Sequence, residues 1–134
     1  MADEMAERNI ERVRELYGKF SDIDPDEMAL FFTEDAYIQP MMKDPYSGRD
    51  EIRRMCGIWA SHWSGIEMPL RNVVGSGNVV MTEWSDESTF EGKPYVIPCA
   101  GVFEFDGDKI KAWRLYYDYA AEPQAATGLH GRRS

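Results

Sequence analysis

Residues Thr82–Asp118, TEWSDESTFEGKPYVIPCAGVFEFDGDKIKAWRLYYD, decide the architecture. Apolar and polar residues alternate through three runs, interrupted at EGKP and FDGD. Glycine-containing turns this short join antiparallel neighbours, so the stretch reads as three strands in a meander. Working back towards the N-terminus, GSGN at 75–78 adds another such turn. The predicted strands lie near 67–74, 78–90, 95–105 and 109–119.

The upstream half reads as helices. From Asp3 to Phe20, Ile10, Val13, Leu16, Tyr17 and Phe20 recur at three- and four-residue steps, which gives one buried stripe. In IDPDEMALFF, Asp24 is a cap, Pro25 suits the first helical position and Glu27 follows three residues after the cap. This second helix is expected to carry Met28, Leu30, Phe31 and Phe32 into the core. A short strand, 36–40, and a polar loop, KDPYSG, precede a third helix from Arg49 to Trp63, with Ile52, Met55, Cys56, Trp59 and Trp63 on one side. Helices first and strands second predict an α+β domain. Its curved, cone-shaped antiparallel sheet would be closed by three N-terminal helices over a pocket. One domain, 1–119, is expected, followed by a mobile tail, 120–134, that has no hydrophobic period.

With 134 residues, 43% hydrophobic and 13% aromatic, the chain suits a single core. A net charge of −9 argues against nucleic-acid partners and against docking on an anionic membrane. Two cysteines, no apolar run of membrane-spanning length and a charged start, MADEMAER, point to a reduced, cytoplasmic setting.

Parity sorts the strand side chains. Val80, Thr82, Trp84, Asp86 and Ser88 share a face; so do Trp113, Leu115, Tyr117 and Tyr119, and Ile97, Cys99 and Phe103. The expected pocket wall therefore comprises Trp84, Ile97, Cys99, Trp113, Leu115 and Tyr117, with Trp59 and Trp63 from the third helix. Most of that set is what any aromatic core contains. Asp86 is the exception, because a carboxylate among indoles must be paired or have its proton affinity raised, and is then suited to general acid/base work. Arg114, on the opposite face, fits a surface partner for Glu83 or Glu104.

The order of elements resembles the SnoaL-like, nuclear transport factor 2-like superfamily, which includes ketosteroid isomerases. GVFEFDGDKIKAWRLYYD is similar to the closing hairpin of limonene-1,2-epoxide hydrolases, TEWSD to their central strand, AYIQP to their first and SGRDEIRRM to the start of their third helix. The resemblance implies that Asp86 is the first acid of an Asp–Arg–Asp trio, Tyr37 the tyrosine and Gln39 a longer amide at the asparagine position. It also puts Trp84 at the arginine position and Leu115 at the second acid, which polyketide cyclases also use. The ketosteroid isomerase base falls on Pro40 and its oxyanion-hole acid on Gly101.

Losing the arginine and the second acid takes the chemistry away from standard epoxide hydrolysis. The expectation is a cofactor-independent lyase, dehydratase or isomerase acting on a hydrophobic, aromatic small molecule. Asp86, Tyr37 and His62 would be catalytic, with Gln39, Tyr17 and the pocket wall binding substrate. Two alternatives stand beside it: an epoxide hydrolase with a rebuilt site, and a non-catalytic binding or assembly domain. A lone helix histidine such as His62 is more often packing or surface, and Cys99 reads better as a small buried hydrophobe than as a nucleophile. No His/Cys/carboxylate group has metal-ligand spacing. A homodimer is expected from the resemblance and from Val79, Met81 and Tyr116 on the outer sheet face.

Overall fold

Asp3 starts the first helix, α1 (Glu4–Lys19), by accepting the Ala6 N–H at 3.1 Å. Glu4 and Glu7 in its first turn and Lys19 in its last oppose the helix dipole. Ala6, Asn9, Val13, Leu16 and Tyr17 form its buried stripe, as the periodicity requires. The structure, a computed structural model, describes residues 3–123. Asp24 caps α2 (Pro25–Ala29), accepting from Asp26 and Glu27 N–H. This helix stops after five residues because the chain turns into a strand at Phe32. Leu30 is consequently exposed rather than buried, whereas Met28, Phe31 and Phe32 join the core.

The strands are β1 (Phe32–Pro40), β2 (Tyr46–Ser47), β3 (Trp63–Glu67), β4 (Leu70–Ser76), β5 (Val79–Phe90), β6 (Lys93–Asp106) and β7 (Lys109–Tyr117). Among the described residues they form one sheet in the order β2-β1-β7-β6-β5-β3, with β4 also paired to β5. The meander from β4 to β7 is antiparallel. β1 is the departure: it docks parallel to β7, placing Ile38 opposite Trp113 and Gln39 opposite Arg114. The third helix, α3 (Arg49–His62), ends one residue before Trp63, which instead opens β3 and packs its ring, tilted, 4.8 Å from that of Phe90.

The helices cover the inner face of the curled sheet. Tyr17 of α1 meets Trp84 edge-on, ring centroids 5.2 Å apart, and its hydroxyl shares a 3.1 Å hydrogen bond with Thr82. Trp113 stacks on Phe103 at 4.7 Å. Gly101 lies between these indoles. A Cβ there would sit 3.0 Å from Trp113 Nε1 and 3.0 Å from Trp84 Cζ3, so the two rings occupy the space a side chain would need. Arg114 lies on the outer face and pairs with Glu104 at 2.7 Å.

Candidate active site

Alternation along β5 puts Trp84 and Asp86 side by side on the inner face, and the Trp84 Nε1–H donates to Asp86 Oδ1 at 2.7 Å. Behind them Cys99, across the β5–β6 pair from Trp84, donates its thiol to the Ile97 carbonyl at 3.3 Å. Asp86 opens onto a cavity of about 120 Å³ between the sheet and the end of α3. Its walls are apolar, with Trp59, Trp63, Trp113, Leu115, Ile97 and Ile38 among them.

Burial pushes the Asp86 carboxyl up to about 6. The hydrogen bond from Trp84 pulls it down and the negative charge of Glu122 raises it further. A neutral indole donor stands where the epoxide hydrolase pattern has a guanidinium, and among the described residues no adjacent cation holds Asp86 ionised. Burial also raises the Cys99 thiol, and Asp86 adds to the effect, which removes any nucleophilic character at neutral pH.

The expected wall is largely in place. Trp59, Trp63, Ile97, Trp113, Leu115 and Tyr117 line the cavity with Asp86. Trp84 and Cys99 are buried behind the acid, without lining the cavity. Tyr17 lies deeper, bonded to Thr82, and is a packing residue.

Three expected site residues are elsewhere. The parallel register of β1 turns Ile38 and Pro40 inward, so Tyr37 and Gln39 point to the other side. The Tyr37 hydroxyl accepts from Arg114 Nη1 at 2.9 Å in the outer-face network with Glu104. Gln39 Nε2 donates to the Lys43 carbonyl at 2.9 Å and braces the loop after β1. His62 ends α3 and is exposed to solvent.

The cavity's remaining polar groups come from segments read as loop and tail. Tyr46, in the KDPYSG stretch, is buried because the two-residue strand β2 pairs it with Ile38. Glu122 follows a short 3-10 turn, Tyr119–Ala121, and its side chain is only 8% exposed. Its Oε1 accepts from Lys43 Nζ at 2.9 Å and from the Tyr117 hydroxyl at 3.0 Å. Burial, with the charge of Glu122, holds the Tyr117 and Tyr46 phenols well above their ordinary range. The readable signals were an aromatic residue inside a polar loop and a DYAAEP run whose Asp118 accepts the Ala120 N–H at 2.9 Å. Of the expected tail, residues 120–123 pack here and the rest lies outside the described residues.

Among the described residues no group of three or more His, Cys, Asp or Glu is placed to hold a metal ion, and no helix is long and apolar enough to cross a membrane.

The fold is shared with solved structures. An LEH-like epoxide hydrolase from M. tuberculosis superposes with a TM-score of 0.78 at 19% identity, over 87% of this chain and 86% of that one. SalBIII, an epoxide hydrolase/cyclase-like enzyme of pyran ring formation in the polyether salinomycin, gives 0.78 at 23% identity over 90% and 97%. A protein with a ketosteroid isomerase-like fold from Catenulispora acidiphila gives 0.76 at 17% identity over 83% and 88%. Among curated proteins no sequence matches significantly. The model of the SnoaL-like domain matches residues 5–113, which span α1 to Trp113 of β7 and include Asp86, and the chain therefore belongs to the SnoaL-like family.

Proposed function

We propose that this protein is an acid–base enzyme that converts a small, largely apolar molecule, with Asp86 moving the proton. One observation carries the reading: a buried carboxyl in the wall of an aromatic cavity, poised near 6 so that both of its protonation states are populated close to neutrality. A catalytic group works best when its proton affinity is near the working pH, and a core acid with no task would be costly to keep. The carboxylic acid form can protonate a departing or enolising oxygen; the carboxylate can take the proton back. Lyase, dehydratase or isomerase chemistry fits that cycle. Trp59, Trp63 and Trp113 line the cavity and give it an aromatic wall that suits an aromatic substrate. Asp86→Asn, assayed on a panel of aryl β-hydroxy ketones and enolisable ketones, tests the assignment through loss of turnover.

A second reading is opening of an epoxide, favoured by the position of Glu122. Leu115 removes the acid that the hydrolase pattern expects on β7, yet a different carboxylate enters the same cavity from the turn beyond that strand. Two of the structural relatives are described as epoxide hydrolase-like, which supports the reading without specifying a substrate. Incubation with styrene oxide in ¹⁸O-labelled water is the check: label in a diol product selects ring opening, and unchanged epoxide counts against it.

A second copy of the chain on the outer sheet face belongs to the same proposal. Val74, Met81, Val96 and Tyr116 are exposed across β4 to β7, more apolar surface than a lone subunit leaves to water at no cost. Sedimentation should show a dimer that Met81→Glu converts to monomer; a monomeric wild type would remove this part.

A further inference from the structure

Glu122 lies beyond the segment that the family model matches, so the cavity is completed by chain that the family pattern does not describe. After β7, Asp118 turns the backbone, and the Glu122 N–H closes the turn on the Tyr119 carbonyl at 3.0 Å. That turn aims a carboxylate into a wall already containing Asp86. If its only task were to pin the chain end, an apolar side chain would serve without the cost of burying a charge. The Lys43 ion pair at 2.9 Å and the Tyr117 hydroxyl at 3.0 Å offset that cost.

The two carboxyls sit in opposite settings: Asp86 is met by an indole N–H, Glu122 by a cation and a phenol. Paired acids whose surroundings differ in this way divide into proton donor and proton acceptor. We propose that Glu122 is the second functional carboxylate of the cavity, accepting the proton of an O–H nucleophile while Asp86 protonates the ring oxygen of a strained cyclic ether. The proposal rests on the ring-opening reading above and assigns the residue that performs it.

In that step the nucleophile's proton passes to Glu122 and its lone pair forms the new C–O bond. The strained C–O bond breaks, and its electron pair stays on the ring oxygen, which takes the Asp86 proton. Asp86 is left as carboxylate and Glu122 as acid; a water molecule returns the proton from one to the other. The net change is addition of O–H across C–O, with nothing oxidised or reduced. Carboxylates are weak bases, and that is sufficient for an O–H group attacking a strained ring. The substrate is not expected to be an anion, since Glu87 and Glu122 line the cavity and would repel one.

A primary amide is the complementary probe, because its carbonyl accepts from the protonated Asp86 and its N–H donates to Glu122. Benzamide and N,N-dimethylbenzamide, which lacks the N–H donors, are titrated against the intrinsic fluorescence of Trp59, Trp63 and Trp113. Wild type should bind benzamide at least about tenfold more tightly, the scale of one hydrogen bond to a charged group. Its affinity should fall as pH rises through about 6 and Asp86 loses its proton, with Glu122, Lys43, Tyr117, Tyr46 and Cys99 the other titratable groups around the pair. In Glu122→Leu the preference should collapse towards unity while dimethylbenzamide binds as before; Glu122→Gln, nearly isosteric, should fall between. No preference in wild type, or a preference that survives in Glu122→Leu, overturns the proposal. Equal loss of both amides in both variants overturns it too, since Glu122 would then only hold the cavity shut. If the preference survives in Glu122→Leu while Asp86→Asn is inactive, the role of Asp86 stands and that of Glu122 falls.

Discussion

Asp86→Asn is expected to lower turnover by about 10²- to 10⁴-fold, the usual worth of a positioned general acid or base, while making the folded chain more stable at neutral pH. Both halves follow from one cause. Burial raises the carboxyl from 3.8 to about 6 in the folded chain, and the unfolded chain exposes it to water. Below pH 3.8 the group is protonated in both states and has no effect on folding. As pH rises towards 6 the unfolded state releases the proton first, so the folded state loses ground, and above pH 6 the loss is complete. At about 1.4 kcal/mol per tenfold in proton affinity the cost approaches about 3 kcal/mol. Asparagine keeps the shape, can still accept from Trp84 Nε1 and carries no charge to bury. Urea titrations of the two proteins should therefore agree near pH 4 and separate in favour of Asp86→Asn near pH 8. Active Asp86→Asn, or curves that separate in the opposite sense, would refute the assignment.

Gly101→Asp is expected to destabilise the chain by about 4 kcal/mol or more, from overpacking of about 1–3 kcal/mol and an unpaired buried carboxyl of at least as much again. The position is where the ketosteroid isomerase pattern expects an acid. Here a Cβ would meet Trp113 Nε1 and Trp84 Cζ3, both at 3.0 Å. Neither ring is at liberty to move: Trp113 is stacked on Phe103 and Trp84 is tied through its N–H to Asp86. Displacing Trp84 would also release its hydrogen bond to Asp86 and raise that carboxyl further. Gly101→Ala separates the contributions, since it adds the Cβ without the charge and should cost about 1–3 kcal/mol. Urea midpoints measure both variants. A loss below about 1 kcal/mol in Gly101→Asp would mean that the indoles yield.

The residues that were legible and those that were not differ in the range of the interaction that places them. Asp3, Asp24 and Pro25 act on N–H groups a few residues away, and the 3.6-residue stripe of α1 needs no partner to be recognised. The glycine turns at 91–94 and 105–108 set β5, β6 and β7 in antiparallel register, and that register makes Asp86, Trp113, Leu115 and Tyr117 neighbours of one cavity. β1 has no such local control. Its neighbour is β7, some 75 residues on, and one residue of register there exchanges Tyr37 and Gln39 for Ile38 and Pro40. The position of His62 depended on where α3 ends; Trp63 pairing with Phe90 ends it, and the histidine is left facing water.

From the sequence alone came the α+β architecture, the inward acid at Asp86 and most of its apolar wall, because helix stripes, strand parity and turn chemistry are carried by neighbouring residues. The tertiary structure alone decided which polar groups accompany that acid. Tyr46 and Glu122 enter the cavity from a loop and a chain end without periodicity, and Lys43, 79 residues from Glu122, is brought to it only when the sheet closes. Long-range pairing of this kind leaves no trace in local pattern, since its energy comes from a charge and a phenol meeting a carboxylate out of water.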